Sequence, residues 1–185
     1  MHGKGVNGWT RRSLLGAGIA SAVTFLAAPA VARPPRTPVA RRLYLQNRHT
    51  GEVFRGTYWE KGRYIPEALR RINHLMRDHH VDEIAEMDRR LIDLLHGIQT
   101  RVDPRRPMTI MSGYRSPLTN AALRAEGYNA ADNSLHLVGK AADIHFDRVR
   151  LIDIRKAAVA LRAGGVGTYR KGNFLHVDTG RVRFW

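Results

Sequence analysis

No cysteine occurs in the 185 residues. That excludes a disulfide scaffold, a cysteine-ligated zinc finger, an iron–sulfur cluster and a thiol nucleophile. It leaves export open, because a domain of this size buries a core without staples. Acidic residues are scarce: 16 Asp and Glu stand against 31 Lys and Arg, a formal net charge of +15 with histidine counted neutral. An excess of that size points to an anionic partner, either nucleic acid or a polyanionic surface such as membrane or cell wall. Long apolar runs are also missing. The longest, Leu14 to Ala28, falls short of the roughly 20 residues a membrane-spanning helix needs.

That run has the marks of an address. Thr10-Arg11-Arg12-Ser13 precedes it, no charge interrupts it, and Ala30-Val31-Ala32 follows as an A-x-A cleavage pattern. Tandem arginine before a moderately apolar stretch rich in Gly and Ala reads as a twin-arginine export signal over residues 1–32. Without Lys4, Arg11 and Arg12 the basic count falls from 31 to 28 against an unchanged 16 acids, leaving +12. Export places that charge in the periplasm or cell envelope. Nucleic acid is then a poor partner, and no basic motif interleaved with aromatics argues for one. Membrane association is expected only through the export signal, and the mature protein is expected to be a monomer.

Pro34, Pro35 and Pro38 mark residues 33–41 as an extended linker. The remaining chain, 42–185, reads as one domain. Alternating residues on either side of Arg48-His49-Thr50-Gly51 predict a hairpin. Ile65-Pro66-Glu67 opens a helix carrying Leu69, Ile72, Leu75 and Met76. The apolar spacing of Ile84, Met87, Leu91, Leu94, Leu95 and Ile98 predicts a second, running to about Thr100. Strands are expected at Met108–Met111, Ala141–Phe146, Val166–Tyr169 and Phe174–Val177. Between them lie a short helix over Leu118–Arg124 and another from Leu151 to Leu161, capped by Gly164-Gly165. The class is α+β: an N-terminal hairpin and helices, then a small antiparallel sheet.

Most histidines fit ordinary surface positions: His49 in a turn, His74, His79, His80 and His96 on helices or their ends. His136, Asp143 and His176 differ. A glycine turn at Gly139 separates His136 from Asp143, and His176 sits on a separate strand. If the strands are neighbours, two imidazoles and one carboxylate converge, which is the makeup of a catalytic zinc site with a fourth position open. Spacing alone does not decide between that and ordinary core or surface histidines.

The ordered motifs Ser112-Gly113-Tyr114-Arg115-Ser116, Ser134-x-His136-x-x-Gly139-x-Ala141-x-Asp143, Gly165-Val166-Gly167-x-Tyr169, Phe174-Leu175-His176-Val177-Asp178 and Thr179-Gly180-Arg181-Val182-Arg183-x-Trp185 resemble the M15 family of zinc peptidases. The resemblance is strongest to the murein endopeptidase K-like group of that family and spans roughly residues 42–185. It implies the fold shared by D-alanyl-D-alanine peptidases and the hedgehog signalling domain. It implies zinc held by His136, Asp143 and His176, and hydrolysis of peptide crosslinks in peptidoglycan. The bond would join meso-diaminopimelate to meso-diaminopimelate or to D-alanine. Many relatives carry an acid three residues before the second histidine ligand or a histidine two before it; here those positions are Asn173 and Phe174, and neither takes a proton at neutral pH. Asp178 is the expected replacement as general base, since it shares a strand face with His176. Its alternative is to hold a ligand or loop. Arg115 is expected to stabilise the oxyanion or to bind a substrate carboxylate, with a structural ion pair as the alternative. Ser134 is expected to contact substrate or cap its loop. His145, on the face of Asp143, is a supporting or substrate-contacting candidate, with a fourth-ligand role as the alternative. The rival to an enzyme is a wall-binding module whose zinc site is structural.

Overall fold

The computed structural model describes residues 40–128 and 130–185; the expected export signal and nearly all of the linker lie outside them. Strand β1 (Arg41–Asn47) alternates strictly, burying Leu43, Leu45 and Asn47. It pairs antiparallel with β2 (Val53–Glu60), which continues to the short β3 (Arg63–Tyr64). Helix α1 (Pro66–Leu75) follows, with Pro66 in its first turn where no N–H is needed.

Helix α2 (Arg89–Val102) starts later than the apolar spacing predicts. The Asp88 carboxylate accepts the Arg90 N–H at 2.8 Å and caps the helix there. The residues before it form an irregular segment, closed by paired backbone bonds between Asp78 and Glu83. Met87 is buried from that segment, whereas Ile84 is exposed.

The second half alternates strand and helix: β4 (Met108–Ser112), α3 (Pro117–Ala125), a 3-10 turn (Leu135–Val138), β5 (Ala141–His145), α4 (Leu151–Leu161), β6 (Gly165–Tyr169), β7 (Phe174–Asp178) and β8 (Arg183–Phe184). The class is α+β as expected, but the sheet is neither small nor wholly antiparallel. All eight strands form one mixed sheet in the order β3-β2-β1-β4-β5-β7-β6-β8. Parallel pairing of β1 with β4 joins the N-terminal hairpin to it, and β8 pairs parallel with β6. The expected glycine cap of α4 is also replaced. Arg162 takes the left-handed conformation at φ 49°, and Gly165 already belongs to β6.

Helices α1, α2 and α4 pack on one face of the sheet. Ala142, Ile144, Val166, Leu175 and Val177 point into that core. Strand alternation therefore sends Asp143, His145, His176 and Asp178 to the other face.

A polar clasp ties the hairpin to the helices. Asp93 of α2 accepts from Tyr58 Oη at 2.8 Å and Tyr64 Oη at 2.7 Å, and pairs with Arg41 at 2.7 Å. Burial pushes the Asp93 carboxyl up, but Arg41 and the two tyrosines outweigh it and hold it below the ordinary value. Asp93→Ala leaves the fully buried Tyr58 hydroxyl without its partner. A loss of about 2–4 kcal/mol is expected from the charge-assisted bonds removed, or roughly 5–15 °C in Tm. Because folding depresses this carboxyl, its contribution is present at neutral pH and fades as pH falls below about 4. Thermal melts of both proteins across pH 3–7 should converge at the acid end; a constant gap would show that the charge is not what matters.

Candidate metal centre

His136 stands in the 3-10 turn, whose first N–H groups are capped by Ser134: its Oγ accepts the His136 N–H at 3.4 Å. Ser134 thus caps the loop that carries His136. The turn ends at Gly139, in the left-handed region at φ 64°; a Cβ there would strike the Glu86 carbonyl. The tight exit leads straight into β5, which carries Asp143. Register in the sheet does the rest, because Asp143 lies directly opposite His176 on β7.

Three ligand-type atoms meet as a result. His176 Nδ1 is 3.0 Å from Asp143 Oδ1, and His136 Nε2 is 3.2 Å from His176 Nδ1 and 3.4 Å from Asp143 Oδ1. Among the described residues, His136, Asp143 and His176 are the one set of three such groups whose ligand atoms all lie within 4.8 Å of one another. Both imidazoles have their remaining nitrogen occupied. His136 Nδ1 donates to the Gly113 carbonyl at 2.7 Å, and His176 Nε2 donates to Asp178 Oδ2 at 3.0 Å. Each therefore turns its other ring nitrogen toward the cluster, the orientation a metal ligand requires. Neither acceptor was visible as such in the sequence: one is a backbone carbonyl, and the other is the residue expected to take the base role.

Electrostatics favour positive charge here. Burial pushes the Asp143 carboxyl up, but His136 and His176 outweigh it and hold it well below the carboxylate range. Burial pushes His176 down, yet Asp143 and Asp178 on its two sides raise it to about 9. Two imidazoles and one carboxylate, buried and mutually oriented, fit a borderline cation such as zinc, which would take the place of the proton these carboxylates hold on His176.

Asp178 shares a face with His176, but its carboxylate meets the nitrogen on the side of the ring away from the ligand cluster. It is fully buried and every bonding direction is taken. Oδ1 accepts from the Gly165 and Gly180 N–H groups and from Arg183 Nη1 at 3.1, 2.8 and 3.1 Å, while Arg183 Nη2 reaches Oδ2 at 2.7 Å. Gly165 is needed for this closeness, since a Cβ there would collide with the carboxylate itself. Burial raises the Asp178 carboxyl, but His176 and Arg183 outweigh it and hold it well below the usual range.

Arg115 reaches the cluster from the segment after β4. Its Nη2 is 3.7 Å from Asp143 Oδ2, and its guanidinium is steadied by Asn120 Oδ1 and Ser112 Oγ, each at 3.3 Å. His145 does not join the three. Its Nε2 is 3.3 Å from Asp147, and its Nδ1 is buried without a partner. Trp185 closes another side, with its ring 5.6 Å from that of His176.

Residues 36–185 match the family described as peptidoglycan L,D-endopeptidase MepK, within the M15 peptidases. The chain is 42% identical over 176 residues to the peptidoglycan L,D-endopeptidase MepK of Escherichia coli (strain K12), covering 95% of this chain and 96% of that protein. The Shigella flexneri protein of the same name matches equally. A "Probable peptidoglycan L,D-endopeptidase MepK" of Haemophilus influenzae is 39% identical over 150 residues, 80% of this chain and 81% of its own length. The matched region contains every strand and helix described above and the whole His136–Asp143–His176 cluster, and the chain belongs to this MepK family of M15 peptidases.

Proposed function

We propose that the protein is a zinc-dependent endopeptidase of the cell envelope, exported by the twin-arginine route, that hydrolyses peptide crosslinks of peptidoglycan on a domain of the D-alanyl-D-alanine-peptidase and hedgehog type. The bond is that between two meso-diaminopimelate residues, an L centre joined to a D centre, in keeping with the name of the relatives. The observation that carries this reading is the convergence of His136 Nε2, Asp143 Oδ1 and His176 Nδ1 inside a peptidase-family domain.

Zinc, when bound by these three groups, supplies Lewis-acid polarisation of the scissile carbonyl and acidifies water. The chain's own residues do the rest. His136 and His176 are held in their ligating tautomers by the Gly113 carbonyl and Asp178. Asp178 acts by orienting His176 and not by accepting the proton of the attacking water, because its carboxylate is saturated and lies behind the ring. Arg115 offers its guanidinium to the developing oxyanion or to a stem-peptide carboxylate. The cationic surface draws the anionic wall polymer toward the site, an attraction that salt screens.

Digestion of purified sacculi, with muropeptides identified by mass spectrometry, tests the reading. Zinc-loaded protein should consume diaminopimelate–diaminopimelate dimers and release monomers, and a chelator should stop it. An unchanged crosslink profile at high protein concentration would leave a wall-binding module in its place.

A further inference from the structure

The open face of the sheet continues past the metal centre into a cavity of about 330 Å³ lined by Arg48, Thr109, His145, Asp147 and Asn173 among others. None of these is a metal ligand. We propose that this cavity binds a zwitterionic amino-acid head, an ammonium and a carboxylate on one carbon. In the crosslink reaction proposed above, on which this identification rests, it holds the free far end of the diaminopimelate whose carbonyl is cut. Arg48 is the determinant for its carboxylate and Asp147 for its ammonium.

The lining carries one charge of each sign, and the two are not spent on each other. Arg48 has no carboxylate partner among the described residues, and the only ion pair of Asp147 is the contact with His145 Nε2 at 3.3 Å. A simple carboxylate ligand would have no use for Asp147, nor a simple amine for Arg48. A head bearing both groups satisfies both.

The backbone that carries Arg48 is braced. Its own N–H donates to the Ile110 carbonyl at 2.9 Å. The turn it begins is braced by Asn47, whose Oδ1 accepts from the His49 and Thr50 N–H groups at 2.8 and 3.0 Å while its Nδ2 donates to the Leu75 carbonyl at 2.8 Å. A turn ordered beforehand adds no backbone ordering cost on binding. Across β4 from Arg48, the lining includes His145, whose Nε2 meets Asp147 at 3.3 Å.

Spacing fits the same ligand. His145 stands two residues beyond Asp143 on one face of β5, a separation of roughly 7 Å along a strand. In diaminopimelate five carbon–carbon bonds separate the scissile carbonyl carbon from the carbon bearing the free ammonium and carboxylate, about 6 Å when extended. With the carbonyl at the ligand cluster, the far head reaches the cavity. In a crosslink whose cut residue is D-alanine, that arm is replaced by a methyl group and the cavity stays unfilled. The cavity thereby selects one crosslink over the other.

The test pairs a protein change with a ligand change. For zinc-loaded wild type, Arg48→Ala and Arg48→Lys, KM and kcat are measured on diaminopimelate–diaminopimelate dimers with the far carboxyl of the cut residue free or amidated. Binding of the free stem tripeptide ending in diaminopimelate is measured by calorimetry. Arg48→Ala should raise KM on the free dimer and weaken tripeptide binding, each by about tenfold or more, with kcat within about twofold; Arg48→Lys should recover part of the loss. Amidation should cost wild type a similar factor and cost Arg48→Ala almost nothing. Asp147→Asn should weaken tripeptide binding but spare a ligand whose far amine is acetylated. Equal losses on amidation in wild type and Arg48→Ala, or unchanged binding in Arg48→Ala, would overturn the proposal. Arg48-dependent tripeptide binding by a protein that cuts neither dimer would sink the endopeptidase reading while upholding the cavity's assignment.

Discussion

His136→Ala is expected to abolish stoichiometric zinc binding and to lower crosslink hydrolysis by about a thousandfold or more. The estimate follows from the several kcal/mol a metal contributes to carbonyl polarisation and water activation. His136 supplies one of only three ligand atoms, so its loss leaves an imidazole and a carboxylate, too few to hold zinc against competing chelators. The fold should survive. The ring is buried, but its one bond outside the ligand cluster runs to the Gly113 carbonyl, and the 3-10 turn that carries it is capped independently by Ser134. Far-ultraviolet circular dichroism should therefore be unchanged while elemental analysis finds no zinc. His145→Ala makes the matching control. That ring faces Asp147 and stands outside the cluster, so zinc content should remain at one ion per chain. Full zinc occupancy in His136→Ala would remove it from the ligand set.

How much of this could be read beforehand depends on whether the determining interaction is local. The hairpin, β4, α3, β5, α4 and the β6–β7 pair announce themselves because strand and helix periods repeat within a few residues. The start of α2 does not. Ile84 and Met87 continue the helical spacing upstream, and only the bonding of Asp88 to the Arg90 N–H shows where the helix begins. The parallel pairing of β1 with β4 is invisible for a different reason: Leu45 meets Met108 across a long stretch of chain, and no local pattern records that. The centre divides the same way. His136, Asp143 and His176 are legible through ordered motifs, because their residue types are chemically demanding. The acceptor for His136 is a backbone carbonyl, which every residue possesses, so nothing at Gly113 marks it. For Asp178, strand alternation correctly places the carboxylate on the face of His176, but alternation cannot say which ring nitrogen it meets. That depends on the C-terminal segment returning Arg183 to within 2.7 Å of it.

Asp178→Asn should expose that difference most clearly. An asparagine keeps one acceptor oxygen and turns the other into a donor. In the native site, one carboxylate oxygen accepts from two backbone N–H groups and Arg183, and the other from His176 and Arg183. The amide oxygen is forced to the first place, where three donors converge, so the amide N–H₂ faces His176 Nε2. Two donors cannot share that contact. The imidazole proton moves to Nδ1, the nitrogen that faces His136 and Asp143, and the ring no longer presents a lone pair to the metal. Zinc affinity is therefore expected to fall by about 10–100-fold, with hydrolysis falling in step at limiting zinc and recovering in part when zinc is raised. A general base predicts the opposite pattern: zinc bound as tightly as in wild type, and turnover lost at every zinc concentration. Chelator competition and turnover measured on the same zinc titration separate the two. Unchanged affinity with turnover abolished would restore Asp178 to the proton-accepting role, whereas a parallel loss assigns it to setting the tautomer of His176.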